Sequence, residues 1–208
     1  MRTADAPFSL RVPHADDVEV LARVHVQAWR ETYADQLPEE FFGESALEFR
    51  RGVWRRVLSH AAPASRTVLA ERGGQVVGFA HAGLPASPEQ PPPADRELFM
   101  IYLLEAHHGC GAAQAMLDAV LGVEPAFLWV AAINPRAQAF YLRNGFEFDG
   151  IEKADDRVPT FMERRMVRTP DDSQRHNHHG RMIRRAAGAA TGAFPSDARA
   201  ELRNDWPE

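Results

Sequence analysis

The sequence predicts a mixed α/β (α+β) fold in which antiparallel strand pairs meet at a central strand flanked by helices. Three observations predict it. Short apolar or alternating runs recur between amphipathic stripes, in the order strand, two helices, three strands, helix, strand, helix, two strands. A glycine turn, Arg72-Gly73-Gly74, joins two of the strands directly. The apolar run Glu97–Leu104 passes through a short loop with Gly109 and Gly111 straight into a helix. Backbone amides at such a junction lack intrahelical partners and lie at the positive end of the helix dipole. It is a place to hold a phosphate, although plain tight turns use glycine too.

Each element follows from local chemistry. Phe8–Val12 reads as an opening strand closed by Pro13. Asp16 and Asp17 suit a helix N-terminus. Val18, Leu21, Ala22, His25, Ala28, Trp29 and Thr32 then follow at helical spacing, and Tyr33 extends the line of His25 and Trp29. Pro38 interrupts. Ser45–His60 reads as a second helix with arginines on its outer face, ended by Pro63. Thr67–Glu71 and Gln75–Ala82 form a hairpin around the glycine turn. Residues 84–96 hold five prolines and no periodicity, which makes them a stiff surface loop. The next helix carries Ala112, Ala115, Met116, Ala119 and Val120 on one face and stops at Gly122. Phe127–Ile133 is a compact strand. Asn134 precedes Pro135, which suits a helix start, and Asn144-Gly145 ends that helix after Arg143. Phe146–Ile151 and Pro159–Val167 alternate as a last antiparallel pair.

Length and composition bound the function. The 208 residues suit one globular domain with sequence to spare, and 45% hydrophobic with 25% charged residues supply an ordinary core. A formal charge of −5 speaks against a general nucleic-acid binder. The lone Cys110 rules out an intrachain disulfide and fits a reducing compartment. The longest apolar run, about Phe127–Ile133, is far short of a membrane span, and the N-terminus lacks a basic head before an apolar stretch. The expectation is a cytoplasmic protein with no membrane and no nucleic-acid partner. Residues 1–168 read as the folded domain. Residues 169–208 read as a flexible tail, since large apolar side chains are few and six arginines balance six acids there. His176, His178 and His179 lack cysteine or carboxylate partners at ligand spacing, so no metal is expected.

Two segments in the right order resemble the GCN5-related N-acetyltransferase (GNAT) family. The first is His108, Gly109-Cys110, Gly111, Ala112, Ala113. It is similar to that family's acyl-CoA loop of Gln or Arg, two residues, Gly, one residue, then Gly or Ala. His108 stands in the place of the Gln or Arg, and Cys110 where many members carry a basic residue. The second is Asn134-Pro135-Arg136-Ala137-Gln138-Ala139-Phe140-Tyr141-Leu142-Arg143-Asn144-Gly145-Phe146, which resembles the family's Asn…Phe-Tyr…Gly-Phe stretch. Ala28-Trp29-Arg30 with Tyr33 also resembles the start of many bacterial members. The likeness covers roughly Ser9 to Val167. It implies a mostly antiparallel central sheet flanked by helices, with a splayed central strand pair. It further implies acetyl-CoA as acyl donor and transfer to a primary amine, on a small molecule or peptide, by direct attack in a ternary complex. A non-catalytic CoA-binding sensor or interaction module is the other function this fold carries. A homodimer is compatible with it.

By resemblance, the amides of Gly109, Cys110, Gly111, Ala112, Ala113 and Gln114 cradle the pyrophosphate, where small side chains let phosphates approach. Ile101, Tyr102 and Leu103 offer backbone to the pantetheine arm as an added strand does, and a backbone N–H there holds the oxyanion. Tyr141 is the general acid for the departing thiolate. Asn134, two helical turns earlier, shares its face and binds the cofactor arm. Read from the residues alone, Tyr141 plugs its helix against the sheet beside Phe140, and Asn134 caps that helix; the matched motif is what points to chemistry. An alkylammonium with a pKa near ~10 must lose a proton before attack. Glu97 is the candidate base. Strand alternation puts it on one face with Phe99, Ile101 and Leu103; the other reading is a solvated charge beside Arg96. Glu105 is a second carboxylate, where the strand leaves for the loop. His25, Trp29 and Tyr33 either line an acceptor pocket or pack in the core.

Overall fold

The chain folds into strands β1 (Phe8–Arg11), β2 (Arg66–Arg72), β3 (Gln75–Gly83), β4 (Glu97–Leu103), β5 (Ala126–Ala131), β6 (Glu147–Ala154) and β7 (Met162–Arg168). The helices are α1 (Val18–Tyr33), α2 (Glu44–Ser59), α3 (Ala112–Leu121) and α4 (Pro135–Arg143). The structure is a computed structural model that describes residues 7–59, 65–85, 92–155, 158 and 161–169. The expected element order holds. The strands form one sheet in the order β1-β2-β3-β4-β5-β7-β6.

Every neighbouring pair is antiparallel except β4 and β5. Those two run parallel through only two register pairs, Glu97↔Phe127 and Leu98↔Leu128, and then part. This is the splayed central pair. A bulge contributes to it: His81 faces Met100 while Ala82 faces Leu98, which leaves Phe99 as the extra residue in β4.

Apolar faces on both sides of the sheet find helices. On one side Leu98, Leu103, Leu128 and Met166 pack with Met116, Leu117 and Val120 of α3. On the other, Leu69 and Phe79 pack with Leu21 of α1 and Trp54 of α2, and Met100 and Tyr102 lean on this cluster. The bulge corrects the expected alternation of β4. Leu98, Ile101 and Leu103 belong to the α3 side, Met100 and Tyr102 to the α1 and α2 side, and Phe99 stacks on the His81 ring at 5.5 Å. Glu97 therefore shares a face with Phe99, Met100 and Tyr102. It does not share one with Ile101 and Leu103, because the extra residue shifts the phase by one.

Three boundaries and one face also differ from expectation. β5 stops at Ala131 rather than Ile133, since the Asn134 N–H donates back to the Ala131 carbonyl at 3.0 Å and turns the chain. β6 runs on to Ala154, and β7 begins at Met162. Arginines do coat α2, with Arg51 reaching Glu19, Glu44 and Glu48, but Arg50 is only 7% exposed. Its guanidinium lies 4.4 Å over the Trp29 ring, so that position turns inward. Residues 60–64, 86–91 and 159–160 lie outside the described residues. So does the expected tail beyond residue 169, with its three histidines.

Candidate active site

The parting of β4 from β5 opens a cleft with two lobes. The larger, about 730 Å³, is lined by the glycine loop, the end of β4 and the exposed face of α4. The smaller, about 200 Å³, lies among α1, β4, β5 and β7. Ile101, Tyr102, Asn134, Ala137 and Tyr141 line both. These five mark the junction.

The larger lobe begins at the helix start. Gly109 (φ +79) and Gly111 (φ +86) take the left-handed conformation that lets the loop turn into α3, with Gly111 as its N-cap. The His108 N–H donates to the Glu105 carbonyl at 3.0 Å, and the Ala115 N–H to the Gly111 carbonyl at 3.0 Å. The six amides between them, Gly109, Cys110, Gly111, Ala112, Ala113 and Gln114, donate to no acceptor among the described residues. A Cβ at Gly109 would meet nothing within 4 Å, so the cradle is open. Side chains leave it clear: Cys110 packs on the α3-side core, and Gln114 donates to Asp118 at 2.9 Å and Asn144 at 2.7 Å. Open amides at a helix start are the kind of donors an anion needs. Arg136 and Arg143 line the same lobe from α4. The sequence reading passed over both, although a spacing of seven places them on one helix face.

At the strand, the Leu104 N–H donates to the Val77 carbonyl at 2.9 Å, and that bond fixes the phase of the ladder. Leu104 and Tyr102 turn their backbone groups to β3, so Ile101 and Leu103 present theirs to the gap left by β5. Two of the three strand residues thus offer backbone to the cleft. Tyr102 instead offers its phenol, which accepts from Trp29 Nε1 at 2.9 Å. The Leu103 carbonyl already has a partner in His108 Nε2 at 2.8 Å. A carbonyl can only accept, so Nε2 carries the proton.

Tyr141 stands at the junction. Its ring packs edge-on to Phe140 at 5.5 Å and to Phe146 at 5.8 Å, so it does plug α4 against the sheet. The residue is 8% exposed, and its hydroxyl has no hydrogen-bond partner among the described residues. Burial, reinforced by the Tyr102 and Tyr33 phenols, pushes its pKa well above the ordinary tyrosine range. The phenol therefore stays protonated at any working pH. Asn134 does cap α4, accepting from the Ala137 N–H at 3.0 Å, while its Nδ2 donates to the Tyr33 hydroxyl at 3.4 Å.

Glu97 is 3% exposed and lines the smaller lobe, which removes the reading of a solvated strand-end charge. Glu105 belongs to the larger lobe. His25, Trp29 and Tyr33 pack in the core and also line the smaller lobe. The His25 ring sits 5.1 Å from Phe79 and 4.9 Å from Tyr102. Sequence reasoning missed Arg50, Trp129, Asp155, Phe161 and Glu163, which complete that lobe. They come from elements distant in sequence, and strand acids with outward spacing carry no local signal.

No helix among the described residues is long and apolar enough to cross a membrane, and no metal-ligating cluster occurs among them. The profile of the acetyltransferase (GNAT) family matches residues 26–146. The chain is 32% identical over 134 residues to the uncharacterized N-acetyltransferase YuaI of Bacillus subtilis, covering 61% of this chain and 73% of that one. It is 35% identical over 94 residues to an uncharacterized N-acetyltransferase of Mycobacterium tuberculosis, covering 42% of this chain and 56% of the relative. Among solved structures it resembles the PaiA N-acetyltransferase of Thermoplasma acidophilum in complex with coenzyme A. That match has a TM-score of 0.55 and 19% identity, over 76% of this chain and 97% of the other. A Pyrococcus horikoshii protein matches at a TM-score of 0.60 with 17% identity, over 79% of this chain and 99% of that one. At these identities the structural likeness speaks to the fold.

Proposed function

This chain belongs to the acetyltransferase (GNAT) family and is an N-acetyltransferase, and on that premise we propose that it moves an acetyl group from acetyl-CoA to a primary amine by direct attack in a ternary complex. The observation that carries this reading is the junction. One buried phenol, with no hydrogen-bond partner among the described residues, lies where a lobe suited to an anion meets a lobe lined by carboxylates and aromatic rings.

The residues fit acetyl-CoA. Six open amides and the Arg136 and Arg143 side chains suit the phosphates, and the larger lobe has the volume of a small-molecule site. The backbone of Ile101 and Leu103 suits a pantetheine arm lying alongside β4 as a further strand. Acetyl-CoA supplies a thioester already activated toward acyl transfer.

The chain's own groups do the rest. Glu97, buried in the acceptor lobe, takes the proton that an ammonium must lose, directly or through water. A backbone N–H of Ile101 or Leu103, free of β5, donates to the oxygen on which negative charge develops. Tyr141 donates its proton to the departing sulfur. The dry setting that raises the phenol also disfavours a free thiolate, so proton transfer accompanies C–S cleavage.

Following free thiol while the protein is incubated with acetyl-CoA and a panel of amines tests the reading. Thiol release that depends on an amine is expected. Tight CoA binding with no release for any amine class would overturn it in favour of a binding module.

A further inference from the structure

We propose that Trp29 and Tyr33 are positioning residues: from one face of α1 they span the gap between β4 and α4 and set how far the Tyr141 phenol stands from the strand. The inference rests on the acyl-transfer reading and deepens it by naming what aligns the proton donor.

The gap needs a tie that the sheet does not supply. The ladder between β4 and β5 ends at Leu98↔Leu128, so beyond it no pairing of these strands fixes the distance from β4 to α4. Gln138 Nε2 donates to the Ala131 and Ala132 carbonyls at 3.0 and 2.9 Å, which holds α4 only to the strand it follows. Gln114 donates to Asn144 at 2.7 Å and ties the far end of α4 from the solvent side.

Helix α1 crosses the gap on its buried side. Trp29 and Tyr33, four residues apart, share one helix face and pack edge-on at 5.4 Å. Trp29 reaches β4, where its Nε1 donates to the Tyr102 hydroxyl at 2.9 Å. Tyr33 reaches the opposite side. It packs with Ala131 at the end of β5, its ring lies 5.5 Å from Phe161, and its hydroxyl accepts from Asn134 Nδ2 at 3.4 Å. Asn134 Oδ1 in turn accepts from the Ala137 N–H in the first turn of α4. Tyr141 follows Asn134 by seven residues, two turns along the same face.

Both ends of this bridge are fixed. The Arg50 guanidinium covers the Trp29 ring at 4.4 Å, and Tyr33 is buried. All three tyrosines of the chain line the smaller lobe. The Tyr102 phenol adds to the upward shift of both Tyr33 and Tyr141, so the three lie within reach of one another's field. Packing alone requires neither the indole N–H nor the Tyr33 hydroxyl, yet each ties a different side of the cleft.

The test is a double-mutant cycle. Tyr33→Phe and Trp29→Phe are each made alone and together with Tyr141→Phe, and amine-saturated kcat, both KM values and the unfolding midpoint are measured. A displacement of about 1 Å at a reacting group costs up to about 10²-fold, so losing one of two ties should lower kcat about 10-fold while KM for acetyl-CoA holds. In the Tyr141→Phe background, with no phenol to align, the same changes should cost less than about 2-fold. Equal losses in both backgrounds overturn the inference and make the pair structural. A loss confined to the KM of the amine also overturns it. Tyr33→Phe removes a single oxygen and keeps the ring contacts, so it decides the matter if Trp29→Phe is unstable. A readout without substrate is amide exchange in the unliganded protein: Tyr33→Phe should speed exchange at Ala137 about 5-fold and leave Ala115 in α3 unchanged. Unchanged exchange at Ala137 overturns the inference too. Absence of amine-dependent thiol release in the wild-type protein refutes the acyl-transfer reading itself, whatever the exchange at Ala137, and the alignment role falls with it.

Discussion

Replacing Tyr141 with phenylalanine separates chemistry from packing in one variant. A buried phenol that donates to a partner is worth about 1 kcal/mol when removed. Here the hydroxyl has no partner among the described residues and the residue is 8% exposed, so its removal relieves desolvation and breaks no bond. The ring contacts to Phe140 and Phe146 survive in phenylalanine. Stability in denaturant should therefore hold or rise, by up to about 1 kcal/mol. Turnover should fall on the order of 10²-fold, because the sulfur leaves without its proton donor, while CoA affinity is unchanged. In the wild-type protein kcat/KM should climb with pH as the amine deprotonates, with no falling limb before pH ~10, since the phenol is raised above its ordinary 10.0. Unfolding curves, steady-state thiol release and a CoA titration measure all three. A loss of stability with unchanged turnover would remove Tyr141 from the acid role and leave it as a core plug alone.

Three further outcomes follow from the fold. Gly78→Ala would place its Cβ 2.6 Å from the Tyr102 carbonyl oxygen and 2.9 Å from Leu103 Cδ1. Overpacking of about 1–3 kcal/mol should lower the unfolding midpoint, and the displaced edge of β4 should weaken CoA binding in a calorimetric titration. Gly111→Ala meets no side chain closer than 3.8 Å, so its cost is the left-handed backbone alone, about 1–2 kcal/mol, read as a lower unfolding midpoint. His81 is buried, and desolvation lowers its pKa from 6.5 to about 4. The fold favours the neutral ring, so the unfolded chain takes up the proton first as pH falls. Its stabilisation is complete above pH 6.5 and lost as pH falls toward 4, roughly 3 kcal/mol in all. His81→Phe should flatten that part of the stability–pH curve.

The order of elements along the chain was legible from periodicity, and the splayed central pair from the two motifs that carry the family resemblance. The lobe at the glycine loop was legible for the same reason. A glycine loop between a strand and a helix is a local feature, and open amides are its direct consequence. The smaller lobe was not. Glu163, Asp155 and Trp129 meet Trp29 only through the pairing of β5 with β7 and β7 with β6, which no local pattern reports. Glu97 shows the other failure. Simple alternation put it on the wrong face, because an inserted residue at Phe99 leaves no mark in composition. Arg50 was misread likewise, since an arginine on a helix rich in arginines gives no sign that its neighbour in space is an indole.

Initial rates of thiol release with acetyl-CoA and the amine both varied distinguish direct transfer from a covalent acetyl-enzyme. Direct transfer within one split cleft requires both substrates bound together, so double-reciprocal lines should intersect. Parallel lines, with one acetyl group retained on the protein when the amine is withheld, would contradict it.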